Sequence, residues 1–258
     1  MNDHVHLKML TFARIFVKCN QPEGALKYIQ DIAKLKKDDL SIEEINILFG
    51  SIHSLIKKTK KQWEIISAIE SNEYKKKSKF KNVARDAKET VYKEMHDYAI
   101  IGLGVIDHHL IKSAGTPELE GLYLMHKADL QRVLISITPV DYDREILDLK
   151  DKAEKCYKKA FEICQEIDDL SSIKAGIILH YCMYIYEENK DISTAYKLAN
   201  EFYQSSNKNL IKLKNKSDNY PELKNLLSVF KENINSWFNK IGQNEIQDDV
   251  NITSSNNK

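Results

Sequence analysis

A chain of 258 residues is long enough to bury a sizeable core, as one large domain or two small ones. Its 8 glycines and 4 prolines, among abundant lysine, isoleucine, leucine and glutamate, exclude a many-turned β fold and predict long helices. A formal net charge of +1 excludes a general nucleic-acid binder, because phosphate-backbone affinity needs a broadly basic surface.

The four cysteines, Cys19, Cys156, Cys164 and Cys182, show no C-x-x-C spacing and read as reduced thiols of an intracellular protein. The polar N-terminus carries no apolar run before a cleavage site, which points to the cytoplasm. The most apolar stretch, residues 98–106, is far shorter than the ~20 residues of a membrane span, so no membrane span is expected.

Residues 3–18 carry Val5, Met9, Phe12, Ile15 and Phe16 at helical spacing, with Asn2 or Asp3 as cap. Pro22 sits at a first helical position, and Ala25, Leu26, Ile29 and Ile32 mark a second helix that ends in the polar run 36–39. Residues 41–72 then begin with a capping box, Ser41 and Glu44, each able to satisfy a backbone N–H of the first turn. Ile45, Leu48, Ile52, Leu55 or Ile56, Ile66 and Ile69 form its buried stripe. His53, Lys57, Lys60 and Glu64 line a second face, flanked by Lys58 and Lys61; taken alone, such a run is a solvated charged face.

A lysine-rich stretch, residues 74–81, begins the next helix, whose apolar positions Val83, Ala87, Val91, Met95, Tyr98 and Ile101 continue to about Leu110. Thr116 caps and Pro117 opens a helix running to Pro139. Asp141 or Asp143 opens the next, with Ile146, Leu149, Ala153, Tyr157, Ala160, Phe161 and Cys164 on its stripe. Ser171 or Ser172 caps the very apolar segment 173–188, residues 192–213 form another helix, and residues 219–240 form the last, with Leu226, Val229, Phe230, Asn233 and Trp237 on one side. From Gly242 the chain is polar and reads as a disordered tail. The count is nine helices, an all-α palisade of antiparallel pairs over residues 1–241 with a tail at 242–258. A tetratricopeptide-like array ranks second, because the pair containing AEKCYKKAFEI has suitable small and aromatic spacing but no fixed repeat period is evident.

Four segments in this order, NILFGSIHSLIKKTKKQWEIISAIE (46–70), LYLMHKADLQRVL (122–134), GIILHYCMYIYEE (176–188) and NINSWF (233–238), resemble the 14-3-3 family. The resemblance extends along residues 3–240 and marks a divergent member. It implies an L-shaped subunit with a concave amphipathic groove, usually dimeric, that binds phosphoserine or phosphothreonine segments of client proteins without doing chemistry on them. The phosphate-binding places of the family fall at His53, Lys60, Arg132 and Val133, where the family has lysine, arginine, arginine and tyrosine. A further family arginine falls at Glu64.

Arg132 still offers a bidentate fork and Lys60 a point charge, while Val133 brings no hydroxyl. His53 carries a full charge only when protonated, and Lys57, one turn from both His53 and Lys60, compensates in part. The resemblance therefore implies weaker phosphopeptide binding that strengthens toward acidic pH. It assigns Asn233 and His180 to the ligand backbone, Leu179, Leu226 and Val229 to an apolar wall, and Glu187 with Trp237 to the residue beside the phosphorylated one. Asn225 and Met125 depart from the family's leucine and lysine.

The same resemblance places Gln62, Ile66, Ile69, Ala87, Thr90 and Glu94 at a homodimer interface, weakened where Ala87 and Thr90 stand for a tyrosine and a lysine. The tail residues Asp248, Asp249, Thr253, Ser254 and Ser255 suggest self-binding in the groove. No enzyme motif is present: Gly102-Leu-Gly104 is an isolated fragment, and His4 with His6 and the run Asp107, His108, His109 lack a further ligand cluster. No metal and no cofactor are expected. The rival function is a phosphate-independent helical scaffold, either tetratricopeptide-like or a degenerate copy of the same fold, that binds partners through apolar surfaces.

Overall fold

The computed structural model describes residues 3–36, 38–138, 142–212 and 220–255, with side chains as far as residue 242. Among these residues there is no strand, and nine helices follow one another. They are α1 (Asp3–Lys18), α2 (Pro22–Leu35), α3 (Ile42–Lys75), α4 (Lys81–Val105), α5 (Pro117–Ile137), α6 (Asp143–Cys164), α7 (Ser172–Glu187), α8 (Ile192–Lys212) and α9 (Pro221–Ser255). The end of α4 loosens into one π turn, Ile106–Leu110, and a last turn, Ile111–Ser113. No described helix is long and apolar enough to cross a membrane.

Local chemistry accounts for most boundaries. Pro22, Pro117 and Pro221 each stand first in their helix, where a missing N–H costs nothing. Ser171 accepts from Lys174 N–H at the start of α7, Thr116 from Leu119 N–H at the start of α5, and Asp191 from Thr194 N–H at the start of α8. The lysine-rich stretch divides where the sequence predicts a helix start. Tyr74 and Lys75 close α3, and Lys77 takes φ 51° in the turn before α4. There Ser78 N–H reaches Glu73 C=O and Lys77 N–H reaches Tyr74 C=O, the paired bonds that close a helix end.

Two further expectations shift. Helix α9 runs to Ser255 rather than ending near Lys240, since nothing around Gly242 breaks a helix: no proline follows, and a lone glycine costs only about 1 kcal/mol. The side chains of Asp248, Asp249, Thr253, Ser254 and Ser255 lie outside the described residues, as do Asn2, Pro139, Asp141, Leu213 and Asn219. Val5, Phe12 and Ile15 of the predicted stripe of α1, Ile69 of that of α3 and Val83 of that of α4 are instead exposed, while Leu10 and Ala13 are buried.

The chain divides into two compact units, Met1–Gly115 with His126–Cys156, and Thr116–Met125 with Tyr157–Lys258. In the first, α1, α2, α3 and α4 pack in succession around Ala25, Ile29, Ile45, Leu48, Ile52, Leu55, Met95 and Ala99. Gly24 permits the closest approach of α1 and α2, because a Cβ there would stand 2.3 Å from the Phe16 ring. In the second, α7, α8 and α9 pack on one another around Tyr157, Ile177, Cys182, Tyr184, Phe202 and Phe230, with Phe202 and Phe230 ring centroids 5.2 Å apart. Burial pushes the Cys164 thiol up to about 11 and the Cys182 thiol up to about 12, so neither is a nucleophile at neutral pH.

The start of α3 is anchored by one carboxylate. Glu44 is 1% exposed, accepts from Ser41 N–H at 2.7 Å and from Lys36 Nζ at 2.8 Å, and meets His6 of α1. Burial raises its pKa, but the bonds from Lys36, the Ser41 backbone and His6 outweigh burial and bring it down to about 2. A carboxylate depressed in the folded state stabilises above its unfolded pKa and loses that contribution as pH falls through the folded one. From 4.5 to about 2 the linkage is worth about 3 kcal/mol, lost between about pH 5 and pH 2. Urea unfolding of Glu44→Gln should show about 3 kcal/mol of destabilisation at pH 7 that shrinks toward pH 3. A difference independent of pH would contradict this anchor.

Candidate functional site

Helix α3 divides cleanly into two faces. Leu48, Ile52, Leu55, Ile56 and Thr59 are buried, and the Thr59 hydroxyl donates to Leu55 C=O at 2.9 Å, so it leaves no polar group unsatisfied in the core. On the other side Lys57, Lys60 and Glu64 are exposed and His53 is partly exposed. Neither Lys57 nor Lys60 forms an ion pair among the described residues, whereas their neighbour Lys58 reaches Glu23 of α2 at 2.9 Å. The two lysines therefore keep their ammonium groups out of ion pairs, with Glu64 one turn beyond Lys60 on the same face.

Helix α5 brings the second set of groups. A Cβ on Gly102 of α4 would fall 2.5 Å from Leu130 of α5 and 3.2 Å from Ile52 of α3, so the three helices meet at this glycine. Beside that point the His126 ring stacks on Phe49, centroids 3.8 Å apart and 13° between planes, and His53 lies 5.7 Å from His126 at a 50° tilt. Phe49 meets His126 and Ile52 meets the region of Leu130, so contacts advance in the same sense along both helices. Past them come Lys57 and Lys60 on α3, and Arg132 and Val133 on α5, both partly exposed. His126, Asp129 and His53 each offer one ligand atom, and these atoms lie within 4.8 Å of one another.

Sequence reasoning thus picked out His53, Lys57, Lys60, Arg132 and Val133, all of which belong to the first unit. It passed over His126 and Asp129. Their signal was His-x-x-Asp in LMHKADLQ, one helical turn apart on one face, and only the fold reveals that this face meets His53.

The predicted wall residues belong to the second unit. Asn233 of α9 is partly exposed and its amide approaches Met183 Sδ of α7 at 3.6 Å, a weak partner that leaves its bonding capacity largely unspent. His180 is partly exposed, and Glu187, seven residues along on the same side of α7, is exposed. Leu179 is buried, Leu226 partly exposed, and Val229 is 40% exposed, apolar surface with no role in the core. Trp237 is only 2% exposed and packs on Tyr186 at 5.4 Å, and Lys240 bonds the Tyr186 hydroxyl. Asn225 is exposed and Met125 buried.

Of the predicted dimer residues, Gln62, Ile69, Ala87, Thr90 and Glu94 are exposed and Ile66 partly so. Around them lie Ile65, Phe80 and Val83, all more than half exposed.

A family model described as 14-3-3 protein matches residues 12–238 of this chain. A 14-3-3 protein beta/alpha of Xenopus tropicalis is 27% identical over 226 residues, covering 85% of this chain and 90% of that protein. A 14-3-3-like protein 2 of Caenorhabditis elegans is 26% identical over 221 residues, covering 83% and 87%. A 14-3-3-like protein 1 of the same organism is 23% identical over 252 residues, covering 95% and 99%.

The contact at Gly102 sets how closely α3 and α5 approach, and a paired substitution measures it. Gly102→Val should overpack Ile52 and Leu130 and destabilise by about 1–3 kcal/mol. Gly104→Ala, whose Cβ meets nothing within 4 Å, should instead stabilise by up to about 1 kcal/mol through helix propensity. Urea midpoints of the two variants read the opposite signs.

Proposed function

This chain belongs to the 14-3-3 family, and from that membership we propose that it is an adaptor, not an enzyme, that binds phosphoserine or phosphothreonine segments of client proteins through an altered phosphate site. The observation that carries the reading is the pair of exposed, unpaired lysines on α3, Lys57 and Lys60, with Arg132 on the helix that packs beside it. A phosphate dianion needs such charge-assisted donors, and a guanidinium gives two of them in one plane. Asn233, whose described partner is a thioether, keeps donors and an acceptor for a client's main chain. Leu226 and Val229 supply apolar contact and His180 and Glu187 complete the proposed recognition set, whereas Leu179 and Trp237, assigned to it by the resemblance, are buried and serve the core instead.

The alteration weakens the site in three ways. Val133 replaces a hydroxyl with methyl groups. Glu64 puts a negative charge on the phosphate-binding face of α3, and His53 is cationic only when protonated. Around His53 stand Lys57 on its own helix and His126 and Asp129 on α5. Of the two forms of His53, only the imidazolium attracts phosphate.

Titrating one labelled peptide in phosphorylated and unphosphorylated form tests both parts. The phosphorylated form should bind more tightly, and more tightly at pH 6 than at pH 8. Arg132→Ala should cost about 1.5–3 kcal/mol, roughly tenfold to a hundredfold in Kd. Equal binding of the two forms would favour the phosphate-independent scaffold, and equal affinity at the two pH values would remove His53 from the clamp.

We also propose a homodimer. Val5, Leu7, Ile15 and Val17 of α1, with Ile65, Ile69, Phe80 and Val83 around the α3–α4 turn, leave large apolar side chains in solvent. Burying such groups against a second copy is worth about 25 cal/mol per Å2 of apolar area. Sedimentation at micromolar concentration should give a species of twice the 29.9 kDa chain mass. A chain-mass species alone would defeat the dimer, and Ile69→Lys should shift any equilibrium toward it.

A further inference from the structure

We propose that His53, His126 and Asp129 form a binding site for a divalent transition-metal ion of the zinc class. Among the described residues they are the one group of three histidine, cysteine or carboxylate side chains whose ligand atoms gather in this way.

The geometry is near what such an ion needs. Zinc binds histidine nitrogen at about 2.0–2.1 Å and carboxylate oxygen at about 2.0–2.2 Å in a tetrahedron, which sets ligand atoms roughly 3.3 Å apart. The three atoms here lie within 4.8 Å of one another, so side-chain rotations of 1–2 Å, at about the scale of one torsion, close the site with no movement of the helices. Two imidazoles on one tetrahedral ion also set their ring centroids roughly 5 Å apart. His53 and His126 stand at 5.7 Å and 50°, close to that arrangement.

The surroundings favour the same reading. Phe49 stacks on the His126 ring, covering its face and fixing its plane, whereas a metal is bound through a nitrogen lone pair in that plane. His126 and Asp129 are one turn apart on α5, and His53 comes from α3, so the ligands converge from two helices packed around Gly102. The cations nearby are Lys57 on α3, and Lys127 and Arg132 on α5. Lys57, like Lys60 one turn further along α3, is exposed, and Lys127 is held by Asp107 at 2.6 Å. Two imidazoles and one carboxylate select zinc, cobalt or nickel over magnesium and calcium, which prefer oxygen ligands throughout. The fourth position remains for water or an anion.

The full-length chain, freed of metal and titrated with CoCl2 at pH 7.5, tests this with no peptide present, so the result is independent of the phosphopeptide reading. One equivalent of Co2+ should give the intense visible absorption of a four-coordinate ion. ZnCl2 should abolish that signal and MgCl2 leave it. His126→Gln and Asp129→Asn should each weaken binding at least about tenfold, and a His4→Gln, His6→Gln double variant should bind like the parent. Should His126→Gln disturb the Phe49 stack and fail to fold, His53→Gln, at a partly exposed position, carries the same test. Absence of the signal in the parent chain would overturn the proposal, as would a signal unchanged by the folded ligand variants.

Discussion

The convergence of α3, α4 and α5 at Gly102 is the constraint on which the first unit's chemistry depends. Residue 102 has no side chain, and Ile52 and Leu130 occupy the volume where one would stand. That contact sets α5 against the same stretch of α3 that carries His53, and it carries Lys57, Lys60, Arg132 and Val133 onward in one direction. A single hydrogen atom in place of a methyl therefore governs the distance between two rows of polar groups. The Glu44 anchor acts at the other end of α3, joining its first turn to α1 and to Lys36 of the α2–α3 connection. With one end clamped by a buried carboxylate and the middle fixed by close packing, the charged face of α3 has little freedom to turn.

The polar face has two chemical halves. Lys57 and Lys60 stand in solvent, where a long ammonium side chain retains its entropy and its hydration, and a ligand must outweigh both. His53, His126 and Asp129 are closer to the packed helices, where dielectric screening is weaker and each interaction counts for more. A family site built on lysine, two arginines and tyrosine relies on fixed charge. In the site proposed here, part of that charge gives way to an imidazole, which is cationic only when protonated.

Much of this was legible in the sequence, and the reasons are local. The capping box of Ser41 and Glu44, the prolines at the first positions of α2 and α5, and the 3.6-residue stripes of α3 and α7 are short-range signals, and the helices they mark are present. Boundaries that depend on weaker chemistry moved. Lysine is a good helix former, so the run at 74–81 read as a helix start, yet Lys77 adopts the left-handed conformation that closes α3. The stripe of α1 read as core because periodicity reports which side chains share a face, and not whether anything covers it. Phe12 illustrates the point: it stacks on Tyr28 at 5.2 Å and is still 37% exposed. The residues proposed for the phosphate side come from the family pattern, not from any local signal. His126 and Asp129 were missed because their partner is 73 residues away from His126, and only packing joins them.

His53 is where these readings meet, and its chemistry makes them compete. An imidazole attracts phosphate as its protonated form and binds a metal as its neutral form, so the two ligands ask for opposite ends of one titration. In the two proposed sites, a phosphate at Lys60 and Arg132 would favour the proton on His53, and an ion at His126 and Asp129 would displace it. Lysine at this position, as in the family pattern, has no neutral form to offer near pH 7 unless it is desolvated. The exchange of lysine for histidine is thus more than a loss of charge: it gives the proposed anion site and the proposed cation site one proton-dependent group in common. Asp129 bears on both, since a carboxylate this close to His53 would repel an incoming phosphate and neutralise one charge of a bound ion.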